Sequence, residues 1–396
     1  MGPWSDRVTL RSIDFVILAL LFWVQWRLTA ILLGVARRRF QGRALTAARA
    51  AIAVFNALVV FGFLVGIFEV AAWLRLSGPA SQIAGAVALG YFAAIGGALA
   101  VSFVLRHIRR HVARRMDPGR RRVLGAAGNL LMASPIAALA GGFVARTGFH
   151  VREIDVPIAG LSPALDGLRV LQLSDIHLGV FLSERQFARV IDASNGLRAN
   201  LAVFTGDLIT GVYDPLDACI RQLARLKADA GIFACMGNHE RYAAGGEDRV
   251  QAAAARAGIR FLRGEAQALR FGDATLNLAG VDYQRKEWQS AYLRGAEELV
   301  APGAVNVLLS HNPDVFPAAA RKGYQLLLAG HTHGGQVTVE ILEQTLNPAR
   351  FFTPYVHGLY RLGRAAAYVT RGIGTIGFPA RLGALPEITV VRLRKA

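Results

Sequence analysis

Long apolar stretches occupy the N-terminal part of the chain, and shorter apolar runs separated by polar turns occupy the rest. Between Arg49 and Arg75 the only charged residue is Glu69, and the stretches 76–105 and 123–145 contain no charged residue. A helix of about 20 apolar residues is long enough to cross a bilayer. These stretches therefore predict membrane-spanning helices near 50–74, 80–105 and 123–145.

A fourth apolar stretch, near 13–36, is less regular because Gln25 and Arg27 interrupt it. Polar and charged side chains are costly inside hydrocarbon, so a helix lying in the membrane interface is an alternative to a span. We favour a span. The pattern thus predicts an α-helical membrane domain over residues 1–145, with three to four spans.

From Val151 onward, short β-type runs alternate with helical patterns. Helices are predicted at 184–194, 215–227 and 248–257. Alternating strands and helices predict an α/β domain over residues 146–396, with its ligands at the carboxyl ends of the strands. The predicted buried strands are 168–173, 201–204, 231–235, 276–279, 305–309 and 326–329.

Composition and charge agree with this division of the chain. The sequence is 53% hydrophobic, which excludes disorder, and its two cysteines exclude a disulfide scaffold. Residues 1–150 hold 18 arginines, no lysine and 4 acidic residues, so they carry most of the net charge of +18. Positive charge and hydrophobicity coincide in the same segment. This coincidence indicates a membrane and not a nucleic acid as the partner.

The arginines predict the orientation of the spans. They are concentrated in the connection 37–49 and in the connection 106–122, which two predicted spans separate. Basic connections face the cytoplasm, so the last span runs outward and places residues 146–396 outside the cytoplasm. A twin-arginine export signal, with Arg120–Arg122 before the apolar run and a cleavage site near Ala138–Ala140, is an alternative to the retained anchor. Both alternatives place the C-terminal domain outside.

Residues of metal-binding type follow five of the predicted strands. Any one of them could be an ordinary turn residue, but five strand ends that bear such groups favour a shared site. Oxygen and nitrogen ligands without thiolate suit hard to borderline divalent cations. Seven ligands exceed one tetrahedral site and suit two adjacent metals that share a carboxylate and act on phosphorus. The seven candidate ligands are Asp175, His177, Asp207, Asn238, His311, His331 and His333, and His239 follows Asn238 as a further histidine.

The order Asp-x-His, Gly-Asp, Gly-Asn-His-Glu, a single His and Gly-His-Thr-His resembles the calcineurin-like metallophosphoesterase superfamily. The apolar segments, together with 372–375 and 386–387, resemble its transmembrane-anchored bacterial branch. The resemblance implies two packed mixed β-sheets flanked by helices, and a metal-dependent phosphoric ester hydrolase. The cofactors implied are two divalent ions, manganese, iron or zinc, of which we favour manganese.

The resemblance also implies a role for each site residue. The first metal takes Asp175, His177 and His333. The second metal takes Asn238, His311 and His331, and Asp207 bridges the two. His239 is the implied catalytic residue, which protonates the leaving oxygen or stabilises the transition state.

We therefore expect a membrane-anchored phosphoesterase of the bacterial inner membrane. Its substrate would be a phosphomonoester or phosphodiester of a lipid or of the cell envelope. Its second partner would be the lipid bilayer, and no nucleic acid is expected as a partner. Phe181, Leu182 and the pair Phe351–Phe352 offer apolar contacts for a lipid-linked substrate, and ordinary packing explains them equally well.

Two alternatives and several details stay open. A hydrolase of UDP-2,3-diacylglucosamine in lipid A biosynthesis would need a cytoplasmic domain, and a membrane scaffold or sensor would need no turnover. Asp282 is expected either to contact a metal ligand from behind or to lie in a turn. His150 and His357 are expected at the surface or in packing contacts. The pairing of Cys219 with Cys235 is undecided.

Overall fold

The computed structural model describes residues 12–67, 78–111, 117–341 and 344–396. The chain divides into two compact units, Met1–Leu139 and Ala140–Ala396. Glu69 and Arg75, with the end of the span predicted at 50–74, lie outside the described residues.

Four apolar helices lie in the described N-terminal residues, where the sequence predicts three to four spans. Each contains a segment whose length and hydropathy suffice to cross a membrane, including Ala19–Arg39 in the stretch that Gln25 and Arg27 interrupt. The helices are α1 (Ser12–Arg39), α2 (Gly42–Ile67), α3 (Pro79–His111) and α4 (Pro118–Ala145).

Polar side chains of the first unit bond to one another between helices. The Gln25 amide of α1 donates to Asn56 Oδ1 of α2 over 2.5 Å, and Tyr91 of α3 donates to Gln25 Oε1 over 2.8 Å. Thr29 also donates to Asn56 Oδ1. Polar groups within hydrocarbon need such internal partners. The network explains how α1 accommodates Gln25 in an otherwise apolar stretch.

The second unit begins with a six-stranded mixed sheet, which we call the first sheet. Strands β2 to β5 run parallel, as alternation with helices predicts, and β14 runs antiparallel to β2. In spatial order the strands are β1 (His150–Ile158), β14 (Glu387–Lys395), β2 (Arg169–Leu173), β3 (Leu201–Thr205), β4 (Ile232–Cys235) and β5 (Ile259–Phe261).

A second six-stranded mixed sheet follows. Its four inner strands run parallel and its two edge strands run antiparallel to their neighbours. In spatial order they are β12 (Gly358–Leu362), β13 (Ala365–Val369), β9 (Leu326–Ala329), β8 (Val305–Leu309), β7 (Ala274–Gly280) and β6 (Glu265–Phe271). A short hairpin, β10 (Val339–Ile341) and β11 (Gln344–Leu346), stands apart.

The two sheets pack face to face around a buried apolar layer. Val203 of β3 and Leu278 of β7 belong to the same buried cluster. The outer face of the first sheet is covered by α5 (Glu184–Gly196), α6 (Leu216–Leu223) and α7 (Gly246–Arg256), and α8 (Phe316–Arg321) packs on the second sheet. The two packed mixed sheets and the four apolar helices confirm the predicted fold class.

Helix α5 shows how local sequence sets these elements. Ser183 accepts from the backbone N–H of Gln186, and the Gln186 side chain accepts from the backbone of Ser183. This reciprocal cap satisfies backbone donors that an α-helix leaves open at its start. The helix therefore begins at Glu184, as predicted, and it buries Phe187 and Ile191 against the sheet.

Candidate metal centre

The predicted site residues lie at the carboxyl ends of five parallel strands drawn from both sheets. Asp175 and His177 follow β2, Asp207 follows β3, and Asn238 and His239 follow β4. In the second sheet His311 follows β8, and His331 and His333 follow β9. Because the sheets pack with these ends at one edge, the side chains converge.

The first group consists of Asp175, His177 and His333, whose ligand atoms lie within 4.8 Å of one another. The two Nε2 atoms of His177 and His333 are 3.2 Å apart, and His333 Nε2 is 3.3 Å from Asp175 Oδ1. Nδ1 of His177 faces Thr210 Oγ1 at 3.1 Å. A partner at Nδ1 orients the ring and leaves Nε2 for a metal.

The second group consists of Asp207, His311 and His331. Nε2 of His311 lies 3.1 Å from Asp207 Oδ2 and 3.1 Å from His331 Nδ1. His311 Nδ1 donates to the carbonyl of Thr205 over 2.5 Å, so Nε2 again faces the site. Asp207 Oδ2 is also 3.5 Å from His177 Nε2. The same carboxylate therefore lies within 3.5 Å of a histidine of each group.

The backbone at these positions is strained. Five of the eight non-glycine residues with positive φ in the described parts of the chain are candidate ligands: Asp175, His177, Asp207, His331 and His333. Such backbone angles cost free energy and are retained mainly at functional sites. The adjoining Gly206 has φ +88°, and a Cβ there would lie 2.6 Å from Gly237 Cα. The loops that carry Asp207 and Asn238 can approach each other only because both positions are glycine.

Electrostatics at the centre are set by burial and by the mixture of carboxylates and imidazoles. Burial opposes ionisation of Asp207, but His311 and His239 hold its pKa well below the usual range. Burial likewise opposes protonation of His311, yet Asp207 and Asp175 raise its pKa to about 10. Burial, followed by the charge of His311, lowers the pKa of His331 to about 3. The buried carboxylates are thus stabilised by a positive charge beside them, which protonated His311 supplies.

The residues present fit divalent cations. Asn238 Oδ1 is buried and has no hydrogen-bond partner among the described residues. A buried amide oxygen without a partner is costly unless something outside the protein satisfies it. The Nε2 atoms of His177 and His333 point at a common space next to Asp175. Oxygen and nitrogen donors with no thiolate suit manganese, iron or zinc.

His239 lies beside the two groups, and hydrogen bonds on two sides fix it. Its backbone N–H donates to Asp207 Oδ1 over 3.0 Å, and its ring Nδ1 donates to the Thr210 carbonyl over 2.8 Å. The ring stands edge-on to His177, with centroids 4.9 Å apart. His239 also forms, with His177 and Asp207, a third group whose ligand atoms lie within 4.8 Å of one another. Burial lowers the pKa of His239 below its usual value, opposed by the charge of Asp207.

Glu240, the last residue of the Gly-Asn-His-Glu motif, supports the loops that carry the candidate ligands. Its buried carboxylate accepts from the backbone N–H groups of Asp207, Leu208 and Gly237, at 3.1, 2.6 and 2.7 Å. Burial and the charge of Asp207 raise its pKa to about 7. Glu240 thus ties the β3 and β4 loops together beneath the bridging carboxylate.

Two further residues at the centre were missed by sequence reasoning. Tyr283 lies after β7, and its hydroxyl is 3.4 Å from His331 Nε2. Arg381 has 1% of its surface exposed and bonds to the His333 carbonyl over 2.6 Å. Neither lies in a recognised motif, although Tyr283 follows a predicted strand end. Asp282 lies in the irregular connection after β7 and forms an ion pair with Arg263 at 2.8 Å.

Apolar residues predicted near the site differ in exposure. Leu182 is buried in the core of the second unit, whereas Phe351 and Phe352 are 88% and 53% exposed. The chain approaches Gly335 closely, since a Cβ there would collide with Asn347. Cys219 and Cys235 are both buried free thiols.

The candidate ligands all lie within a segment that matches a known protein family. Residues 168–335 match the calcineurin-like phosphoesterase family. The chain is 30% identical to the metallophosphoesterase YkuE of Bacillus subtilis over 58% of this chain and 80% of that protein. It is 28% identical to the phosphodiesterase YaeI of Escherichia coli over 57% of this chain and 82% of that protein.

A relative with membrane segments also matches. The chain is 31% identical to a transmembrane protein with metallophosphoesterase domain from Danio rerio, over 62% of this chain and 57% of that protein. The fold and the clustered ligands define a metal-dependent hydrolase of phosphate esters. The chain belongs to the calcineurin-like metallophosphoesterase family, as its motifs indicated, and it carries four membrane-capable helices before the domain.

Proposed function

We propose that this protein hydrolyses a phosphate ester of a membrane lipid or of the cell envelope, at a dinuclear centre bridged by Asp207. The observation that carries the proposal is the position of Asp207, whose Oδ2 faces His311 at 3.1 Å and His177 at 3.5 Å. A carboxylate shared by two imidazole groups is the arrangement that two adjacent cations need.

Asp175, His177 and His333 would hold the first cation, and Asn238, His311 and His331 the second. Manganese is the metal that we favour. When bound, the two cations supply an activated water and compensate the charge that develops at phosphorus. The protein fixes this arrangement in advance, because Thr210 and Thr205 orient the rings of His177 and His311.

His239 is the proposed proton donor to the leaving oxygen. Its Nδ1 hydrogen is bound to the Thr210 carbonyl, so a proton delivered to substrate must come from Nε2. Burial lowers the pKa of the ring, and the negative charge of a bound phosphate ester would favour the protonated form. The positively charged ring would then face the ester and release its proton as the bond to the leaving oxygen breaks.

We place the domain outside the cytoplasm of a bacterial cell, on the inner membrane. The support is the arginine content of the connections 37–49 and 106–122. Fusing a reporter active only in the periplasm, or only in the cytoplasm, to Ala396 tests this placement. Activity of the cytoplasmic reporter alone would overturn it.

The function is tested with the full-length protein, purified in detergent and assayed on a panel of lipid and nucleotide phosphate esters. Each ester is assayed with added manganese, iron or zinc and with a chelator, and Asp207→Asn serves as the control for contaminating phosphatases. We expect metal-dependent turnover of at least one lipid phosphate that the variant lacks. If the protein hydrolysed only soluble nucleotide esters, the result would contradict the lipid assignment. If it hydrolysed no ester, the result would contradict the proposal as a whole.

A further inference from the structure

Three large aromatic side chains project into solvent from two loops of the second unit. Trp288 is 51% exposed, Phe351 is 88% exposed and Phe352 is 53% exposed. So much exposed aromatic surface in one place is unusual for a surface that faces solvent, and it marks an interaction site. We call these three residues the aromatic rim.

The two loops of the aromatic rim are fastened to each other. Lys286 Nζ, two residues before Trp288, donates to the carbonyl of Phe352 over 2.9 Å. The guanidinium of Arg285 lies 5.8 Å from the centre of the Trp288 ring. The contact from Lys286 joins chain segments 66 residues apart. The aromatic rim is therefore a single surface and not two unrelated loops.

Both loops are also anchored to the metal centre. Tyr283, which contacts His331, stands two residues before Arg285, and the Gln284 carbonyl accepts from Asn312 beside His311. On the other loop, Thr332 donates to the carbonyl of Val356. The two loops that carry the aromatic rim thus contact residues of, or next to, the metal centre.

The charge around the aromatic rim is mainly positive. Arg285, Lys286 and Arg350 are interleaved with the three aromatic residues, and Glu287 is the acidic residue of the two segments 284–291 and 347–353. Tryptophan and phenylalanine next to arginine and lysine are typical of surfaces that enter the headgroup layer of an anionic membrane.

The last residues of α4 lie in the second unit and contact its loops. Residues 140–145, the last turn of α4, belong to this unit, and the Gly142 carbonyl accepts from Arg381 N over 2.9 Å. The next residue, Leu382, donates to the carbonyl of Gln336, three residues after His333. The end of a membrane-capable helix therefore meets the domain at the loops that carry the metal ligands.

We propose that the aromatic rim, with Arg285, Lys286 and Arg350, inserts into the headgroup layer of an anionic bilayer and presents the metal centre to phosphate esters at the lipid surface. This inference deepens the proposed function and rests on it for the substrate class. The contact with lipid itself can be measured without turnover, so the two can fail separately.

The test uses the full-length chain with Trp4, Trp23, Trp26 and Trp73 replaced by phenylalanine, which leaves Trp288 as the single tryptophan. The protein is placed in nanodiscs of phosphatidylcholine and phosphatidylglycerol, with and without bromine in the upper acyl chains. Interfacial residues lie at the depth of the upper acyl chains, so we expect Trp288 emission to fall about twofold or more in brominated discs. Phe351→Ser/Phe352→Ser in the same chain should reduce this loss.

A matched control places the only tryptophan elsewhere. Leu362 is 45% exposed and ends β12, where it pairs with Ala365 at the edge of the sheet opposite the metal ligands. Trp288→Phe with Leu362→Trp should give the same emission in both kinds of disc. Turnover of bis-p-nitrophenyl phosphate, a soluble ester, verifies that each variant is folded.

Unquenched Trp288 emission in a chain that still turns over the soluble ester would overturn the proposal. A blue-shifted but unquenched emission would also overturn it, because it would indicate contact with protein. Strong quenching without turnover of any lipid phosphate would leave the lipid contact in place and contradict the proposed substrate class alone.

Discussion

The guanidinium of Arg381 donates through Nη1 to the main-chain carbonyl of His333 over 2.6 Å. The same side chain donates to the carbonyls of Arg371 and Ala384, and to that of Gly374. Gly374 in turn donates to the carbonyl of Asp175 over 2.6 Å. Burial lowers the pKa of Arg381 to about 10, so it stays charged at neutral pH. Arg381 thus holds the chain that carries His333 against the segment that carries Asp175.

Arg381→Gln should weaken metal binding at the first site. Its loss frees the His333 backbone, and removing a residue that positions a ligand typically costs about 10–100-fold in metal affinity. Competition with a chelator measures the affinity, and added guanidinium should restore part of it. Arg371→Gln is the matched control, because Arg371 belongs to the same loop and bonds to Gly383 instead. Equal affinities in the two variants, or no rescue, would contradict a positioning role.

His239→Ala should retain both metals while turnover falls by about 10²–10⁴-fold, the usual contribution of a positioned general acid. Its ring bonds to Thr210, and its contact with Asp207 is made by the backbone, which alanine keeps. The loss should be smaller for p-nitrophenyl esters, since a good leaving group needs little protonation. Rates on an activated and an unactivated ester, with metal analysis, give the comparison.

His333→Ala is the control for that assignment. It should lose metal and be impaired on both kinds of ester, because its Nε2 faces Asp175 and His177. If His239→Ala lost metal as His333→Ala does, or slowed both esters equally, His239 would not be the acid.

His357 should make the second unit less stable in acid. Burial, followed by the charge of Arg371, lowers its pKa to about 4 in the folded protein. The unfolded chain has the ordinary pKa of about 6.5, so it binds the proton first as pH falls. Stability is therefore lost between about pH 6.5 and 4, by about 1 kcal/mol once solvent screening of the partly exposed ring is allowed for.

His357→Gln removes the titrating group, so the variant should lose less stability than the parent between pH 7.5 and 5. Between pH 7.5 and pH 5, the Tm of the parent should therefore fall by about 2–4 °C more than the Tm of the variant. Thermal unfolding in detergent at both pH values provides the measurement. Parallel Tm curves would show that His357 does not contribute.

Much of this architecture is readable from the chain because its signals are local. The strands 305–309 and 326–329 have the predicted bounds, since apolar runs between turn residues report burial on both faces, even though Asn306 interrupts the first run. The helix predicted over 215–227 ends at Leu223 instead. Its apolar pattern continues into a turn that packs Leu226 into the core, so periodicity alone extends the helix too far.

Other features depend on contacts between distant residues. Strand β14 lies between β1 and β2, more than 200 residues away in sequence, and no local pattern shows that pairing. The role of Arg381 is equally hard to predict, because an arginine at the surface and a buried arginine that joins two loops look alike in sequence. The metal-ligand roles came from ordered motifs, and the structure brings those residues together without assigning a metal to any of them.

The proposed dinuclear centre depends most on Asp207 as a ligand shared by two cations. The decisive measurement is the metal content per chain of the wild type and of Asp207→Asn, purified in parallel, together with turnover of one ester. A neutral amide compensates cation charge less well, so the wild type should hold two metals and the variant fewer, with turnover abolished. An Asp207→Asn protein that keeps two metals and near-normal turnover would contradict the bridged centre.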